Sequence, residues 1–270
     1  MSKPLLQIEN LLLAVGDKKI LQGINLTIGA GEAVGVVGES GSGKSMTARS
    51  VIRLLPSTAN LHGDIVFDGE SVLQMNAGRL RAYRGSRVAM IFQDPRAHTN
   101  PIHTIGDFLT ESVIQLRGTN RKDATARATG LLREVGITDP ERRMNQFPHE
   151  LSGGLLQRVM IAAALMTDPE LLLADEPTTA LDVTTQEEVM AIIDGLRQNR
   201  GLAMMFITHD LDLAAATCDR LVVMQAGQII EEIAADDVYE HAQAAYTKEL
   251  MAARLDFGAA VSTDIKKDWP

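Results

Sequence analysis

The residues with the clearest chemical capacity in this chain of 270 are eight in a row, Gly38-Glu39-Ser40-Gly41-Ser42-Gly43-Lys44-Ser45. A glycine, four residues and then Gly-Lys-Ser is a pattern that holds phosphate. Glycines let the backbone curl until successive N–H groups face inward onto an anion. A helix starting near Gly43 aims the positive end of its dipole at the same charge. Lys44 is then placed for the β- and γ-phosphates of a nucleoside triphosphate, and the Ser45 hydroxyl for Mg²⁺. The expected phosphate-contacting stretch is Gly38 through Met46. A glycine-rich turn that matches by accident is the alternative. The apolar run before the loop and the helical run after it speak against that.

A second group is Leu171-Leu172-Leu173-Ala174-Asp175-Glu176-Pro177, an apolar run ending in two acids. In phosphate-loop folds the strand beside the loop delivers an aspartate to the magnesium shell, which assigns Asp175, with Ser45, to the metal. Glu176 follows at the carboxyl end of the strand, where α/β sheets place ligands. It is suited to polarise an attacking water as general base. The bland alternative, two solvated acids in a turn before Pro177, loses weight beside the glycine loop.

Such groups need a scaffold that brings strand ends together. Buried-strand candidates are Ala33–Val37, Val88–Phe92, Leu171–Ala174, Met204–Ile207 and Leu221–Met224, with helices at Lys44–Leu55 and Thr184–Gln198. Strands separated by helices predict a mostly parallel α/β sheet. Leu6–Ile28 alternates more and reads as antiparallel strands with turns at Gly16-Asp17 and Gly23. Residues 94–158 read as a helical insertion, with periodicity over Gly106–Leu116 and Lys122–Val135. The tail, 255–270, is expected to be loosely ordered.

Leu151-Ser152-Gly153-Gly154 lies ahead of a helical run and shortly before the Asp175-Glu176 strand. In this order and spacing the three motifs resemble ABC-type ATPases, and the resemblance covers roughly residues 4 to 254. It implies an α/β fold: a P-loop (RecA-like) ATPase core over 1–92 and 159–235 with an N-terminal antiparallel β subdomain. It also implies an inserted α-helical subdomain over 93–158 carrying the signature motif, and a short C-terminal extension over 236–270. The activity implied is hydrolysis of ATP with Mg²⁺. Glu176 is the expected base. Gln93 resembles the Q-loop glutamine that senses Mg²⁺ and water, and His209 the switch histidine at the γ-phosphate. Ser152, Gly153 and Gly154 would contact ATP held by a second ATPase, and Asp182, in the D-loop-like Ala180-Leu181-Asp182, would face the same partner. The implied partners are two transmembrane permease subunits, a second and different ABC ATPase, and an extracytoplasmic solute-binding protein. The implied location is peripheral, on the cytoplasmic face of the inner membrane. Two departures stand out. Val15 occupies the position where family members usually stack adenine on an aromatic ring, and Leu155-Leu156 replaces a polar pair before Gln157-Arg158.

Gln93-Asp94-Pro95 through Ile105-Gly106, Ala174 through Asp182, and Tyr246-Thr247-Lys248-Glu249-Leu250 resemble the peptide and nickel importer branch. Asn100 through Thr104 and Gly153 through Arg158 resemble its nickel or nickel-metallophore members most. Nickel or nickel-chelate import is therefore the expectation, with di- or oligopeptide import as the alternative. The six histidines are scattered, so no nickel site is expected on this chain itself.

Bulk properties narrow the rivals. A net charge of −9 argues against a nucleic-acid partner. The single cysteine, Cys218, excludes an internal disulfide framework. No apolar run approaches the ~18 residues of a membrane span, and the N-terminus lacks a signal-peptide core. Attachment to a membrane would then come through other proteins. A non-transport ABC ATPase normally carries a coiled coil or two fused halves, and neither is visible. A binding protein with a dead nucleotide site conflicts with intact Lys44, Asp175, Glu176 and His209.

Overall fold

The computed structural model describes residues 3–179 and 181–252. In chain order, β1 (Leu6–Val15), β2 (Lys18–Ile28) and β3 (Ala33–Val37) precede the glycine loop, which runs into α1 (Lys44–Val51). β4 (Ala59–Phe67), β5 (Glu70–Ser71), α2 (Ala77–Ser86) and β6 (Val88–Ile91) follow. A helical stretch comes next: α3 (Ile105–Arg117), α4 (Arg121–Glu134), α5 (Pro140–Arg143) and α6 (Gly153–Leu165). The chain returns through β7 (Leu171–Asp175), α7 (Val183–Arg200), β8 (Ala203–Thr208) and α8 (Leu211–Thr217). β9 (Arg220–Gln225), β10 (Gln228–Ala234) and α9 (Val238–His241) follow, and helix resumes over residues 245–252.

One sheet is antiparallel, in the order β2-β1-β4-β5. The other runs β10-β9-β3-β8-β7-β6 and is parallel except where β10 meets β9. Every residue of β3 and β8 is buried, the pattern of strands covered on both faces. Alternate side chains serve different cores. Val34, Val36, Leu171, Leu173, Met205 and Ile207 meet the antiparallel sheet together with α1 and α2. Leu172, Ala174, Met204 and Phe206 face α3, α4, α6, α7 and α8. Full burial of one such side chain as large as Phe206 contributes about 1.5–3 kcal/mol.

The loops that carry chemistry end at helix caps. The Ser152 hydroxyl accepts from Leu155 N, Asp182 from Thr185 N, and Asp210, beside His209, from Asp212 N and Leu213 N. Each cap satisfies backbone donors that the helix cannot, so the residue next to it holds a set position.

Several expectations need correction. Gly23 does not turn the chain; β2 runs through it at φ 83°, and a Cβ there would come 3.2 Å from Asn10 Oδ1. Register shifts between Ile8, Leu11 and Leu12 mark a bulge opposite it, and a bulge absorbs glycine within a strand. α1 stops at Val51 rather than Leu55. Arg53 takes φ 51°, which a right-handed helix cannot continue, and its guanidinium anchors on Met75 O at 2.7 Å. The strand ending in Asp175 is not beside the strand that feeds the glycine loop: β8 lies between β7 and β3. A boundary at 158 falls inside α6. β4, β5, α2 and β10 are additions that periodicity did not indicate. Gly63 interrupts the alternation of β4, because Asn10 O would lie 2.4 Å from a Cβ there. The tail 255–270 and Ala180 lie outside the described residues.

Candidate functional site

β3 ends at Val37 and the chain turns sharply at Gly38, whose φ is 149°. Any side chain there would place a Cβ 2.2 Å from Met224 O. Gly43, at φ 106°, is the N-cap of α1 and sits against Leu21. Lys44 is 4% exposed, and its Nζ donates to Gly38 O at 2.6 Å and Glu39 O at 2.8 Å. Burial holds the Lys44 pKa below the usual lysine range, while the charges of Glu176, Asp175 and Glu39 act in the opposite sense. The Ser42 hydroxyl is buried in the loop without a partner. From behind, Glu39 N donates to the Tyr246 hydroxyl at 3.0 Å, and Gly227 N donates to Ser42 O at 3.0 Å. Glu231 secures the Tyr246 segment by accepting from Gln243 N at 2.6 Å and from the Thr247 hydroxyl.

The acidic group meets this loop across β8. Ser45 Oγ donates to Asp175 Oδ1 at 2.7 Å. Burial pushes the Asp175 carboxyl above the usual carboxylate range, against the pull of the Ser45 hydrogen bond and the nearby Arg49 charge. Glu176 takes φ 46°, in the left-handed region, and its N–H donates to Ile207 O at 2.9 Å. Such a conformation in a non-glycine residue costs about 1–3 kcal/mol and is retained where the surroundings dictate it. The surroundings are specific. Gln93 Nε2 and Thr179 Oγ1 each donate to Glu176 Oε2 at 2.8 Å, and His209 Nδ1 lies 3.7 Å from Oε1.

The donor set fits the groups that the motifs imply. Two buried glycines at positive φ, an unpartnered buried hydroxyl and a lysine resting on carbonyls suit a phosphate chain. One hydroxyl beside one carboxylate suits Mg²⁺, which is held by few protein oxygens plus water and phosphate. Among the described residues no group of three or more His, Cys, Asp or Glu side chains gathers for a metal.

Ser152, Gly153, Gly154 and Asp182 stand apart. Ser152, Gly153 and Asp182 are exposed and line a separate cavity of about 440 Å³. Asp182 also accepts from the Thr185 hydroxyl at 2.7 Å, and a Cβ at Gly154 would come 2.7 Å from Thr185 Cγ2. Among the described residues no side-chain hydrogen bond joins this group to residues 38–45. Val15 ends β1, paired with Lys18 and Ala59. Met46 lies in the first turn of α1, and its carbonyl accepts from Ser50 Oγ at 2.7 Å.

The sequence reading missed Thr179 and Tyr246. Thr179 follows Pro177-Thr178 with only a polar residue to mark it. Tyr246 was visible only as part of a branch-like run, with nothing to tie it to the glycine loop.

The family described as ABC transporter matches residues 21–179. A probable peptide ABC transporter ATP-binding protein of Sinorhizobium fredii is 48% identical over 236 residues, 86% of this chain and 70% of that protein. The oligopeptide transport ATP-binding protein OppD of Bacillus subtilis is 40% identical, over 92% of this chain and 71% of that protein. Among solved structures, a dimeric ATP-binding cassette in a post-hydrolysis state, bound to ADP and Pi, superposes with a TM-score of 0.75 at 28% identity, covering 85% of this chain and 98% of that one. With its phosphate cradle, its acidic strand end and this match over more than half its length, the chain belongs to the ABC transporter family, as an ATP-binding, ATP-hydrolysing cassette.

Proposed function

We propose that this chain is the ATPase of a peptide importer, with Glu176 as the base that activates water. The observation that carries the reaction is the convergence of Gln93, Thr179 and His209 on the Glu176 carboxylate, next to the Ser45–Asp175 pair. Lys44 exchanges the carbonyls of Gly38 and Glu39 for phosphate oxygens and neutralises their charge. Glu176 takes a proton from water as the water oxygen bonds to the γ-phosphorus. The bond to the β–γ bridging oxygen breaks, giving ADP and phosphate. His209 orients the attacking water. Mg²⁺, when bound, supplies charge neutralisation between the phosphates, and Ser45, Asp175 and Gln93 would hold it. The open cavity at Ser152, with no side-chain hydrogen bond to residues 38–45 among the described residues, supports a second ATPase as the other half of the site, with Ser152, Gly153, Gly154 and Asp182 serving ATP held by that partner.

Motion on closure and reopening passes to two permease subunits, and a solute-binding protein delivers cargo to them. The chain itself sits peripherally at the cytoplasmic face. Among the described residues no helix is long and apolar enough to cross a membrane. For the solute, the named relatives favour peptides. Nickel, the expectation from residues 93–106 and 153–158, finds no counterpart in those names. Uptake of labelled oligopeptide and of radioactive nickel, compared in cells with and without the gene, tests the choice. Peptide uptake should require the chain and stop with Lys44→Ala. Loss of nickel uptake alone would reverse the assignment.

A further inference from the structure

Gln157 lies in the second turn of α6, five residues after Ser152. Its side chain is 2% exposed, and its amide Nε2 is buried without a hydrogen-bond partner. A buried amide in that condition is costly, and uncommon enough to require a reason. An apolar side chain of the same length would fill the position at lower cost. The same residue lines a cavity of about 470 Å³ shared with the segment Gln93–Arg96 and with Gly153, Thr179 and Leu181. The cavity therefore touches both halves of the chemistry. Gln93 and Thr179 are bonded to Glu176, and Gly153 belongs to the start of α6.

Across the cavity, Gln93 is bonded to Glu176 and the turn after it is bonded within its own loop, with no hydrogen bond to Gln157 among the described residues. Pro95 has no N–H, Asp94 Oδ1 accepts from Arg96 N at 2.9 Å and from Ala97 N at 3.3 Å, and Arg96 O accepts from Thr99 N at 3.4 Å and from Thr99 Oγ1 at 3.3 Å. A turn bonded within its own loop, an open cavity and a dry amide beside it are the parts that a two-state element needs, with the amide unpaired in one state and paired in the other.

We propose that Gln157 is a positioning residue whose amide receives the segment Gln93–Arg96 when Gln93 leaves Glu176, tying the state of the nucleotide site to the helix that carries Ser152, Gly153 and Gly154. This rests on the hydrolytic reading above. The missing hydrogen bond is the signal that the described arrangement is one of two.

The test is Gln157→Met, which keeps length and volume but has no amide, with Gln157→Glu as a near-isostere lacking the N–H donor. Without nucleotide, the melting temperature of Gln157→Met should hold or rise, since an unpaired buried group is gone. The dissociation constant for ATP on the purified chain should stay within about twofold. In the assembled transporter, kcat should fall about tenfold for both variants with KM for ATP unchanged, and adding either to Gln93→Ala should cause no further loss. A lowered melting temperature with normal turnover would make Gln157 a packing residue and overturn the proposal. So would fully additive losses with Gln93→Ala. If Gln93→Ala alone leaves turnover intact, the hydrolytic reading fails first and the proposal falls with it.

Discussion

Around Glu176 each side chain capable of chemistry is already tied to another: Gln93 and Thr179 to its carboxylate, Ser45 to Asp175, Lys44 to the loop carbonyls. Among the described residues, similar residue types around Ser152 are tied only to their own helices, Ser152 to Leu155 and Asp182 to Thr185. The groups of the first region hold one another in place, and such preorganisation is how electrostatic catalysis avoids reorganisation at the moment of reaction. The second is a satisfied helix start with open space in front. The difference teaches that one chain carries a tightly cross-bonded site and a second, open one, which suits the proposed reading of a cradle with its acid here and a surface for the partner's phosphate there.

Four measurements would break or sharpen this contrast. The largest effect is expected at the organised end. Glu176→Gln should lower phosphate release by about 10²–10⁴-fold while ATP still binds. Undiminished turnover would take the base role away from Glu176. At the open end, Ser152→Ala should cost about tenfold in turnover of the assembled transporter, the scale of one hydrogen bond to a charged oxygen. ATP affinity of the purified single chain should not change; if it drops, the two regions serve one nucleotide and the contrast is wrong. Tyr246→Phe removes the acceptor of Glu39 N and should weaken ATP binding on the single chain by about 2–10-fold. An unchanged affinity by titration calorimetry would show that the brace does not shape the loop.

The smallest effect concerns stability. Burial raises the Asp175 pKa, so its ionised form costs folding free energy above the folded pKa. Below the ordinary carboxylate range both folded and unfolded chains carry the proton and the cost vanishes. Asp175→Asn should therefore raise the nucleotide-free melting temperature by about 2–4 °C near neutral pH. The gain should shrink as pH falls through the folded pKa toward the ordinary carboxylate range. A gain that is constant with pH would point to packing rather than charge.

What could be read in the sequence was whatever a short stretch declares by itself. The glycine loop needs its residues in one order, and β3, β7 and β8 are short apolar runs because both their faces are covered. Asp175 and Glu176 were legible as acids at such a strand's end. Strand order was not, because β8 enters between β3 and β7 from later in the chain. The Tyr246 contact joins positions 207 residues apart, and no local pattern encodes it. Gly23 misled because a bulge and a turn ask for the same residue. Of the groups on the Glu176 carboxylate, Gln93 and His209 were legible as separate motifs and Thr179 was not. The geometry of the set depends on the left-handed backbone at Glu176, which sequence spacing does not carry.

That backbone has a mechanical corollary. The Glu176 N–H is pinned to Ile207 O, and His209 follows directly after that strand ends at Thr208. The histidine and the glutamate are thus fastened to a common rail rather than to independent mounts. Under the proposed reading, a phosphate met by His209 and the acid that serves it would then keep one spacing, set by the backbone bond between the two strands.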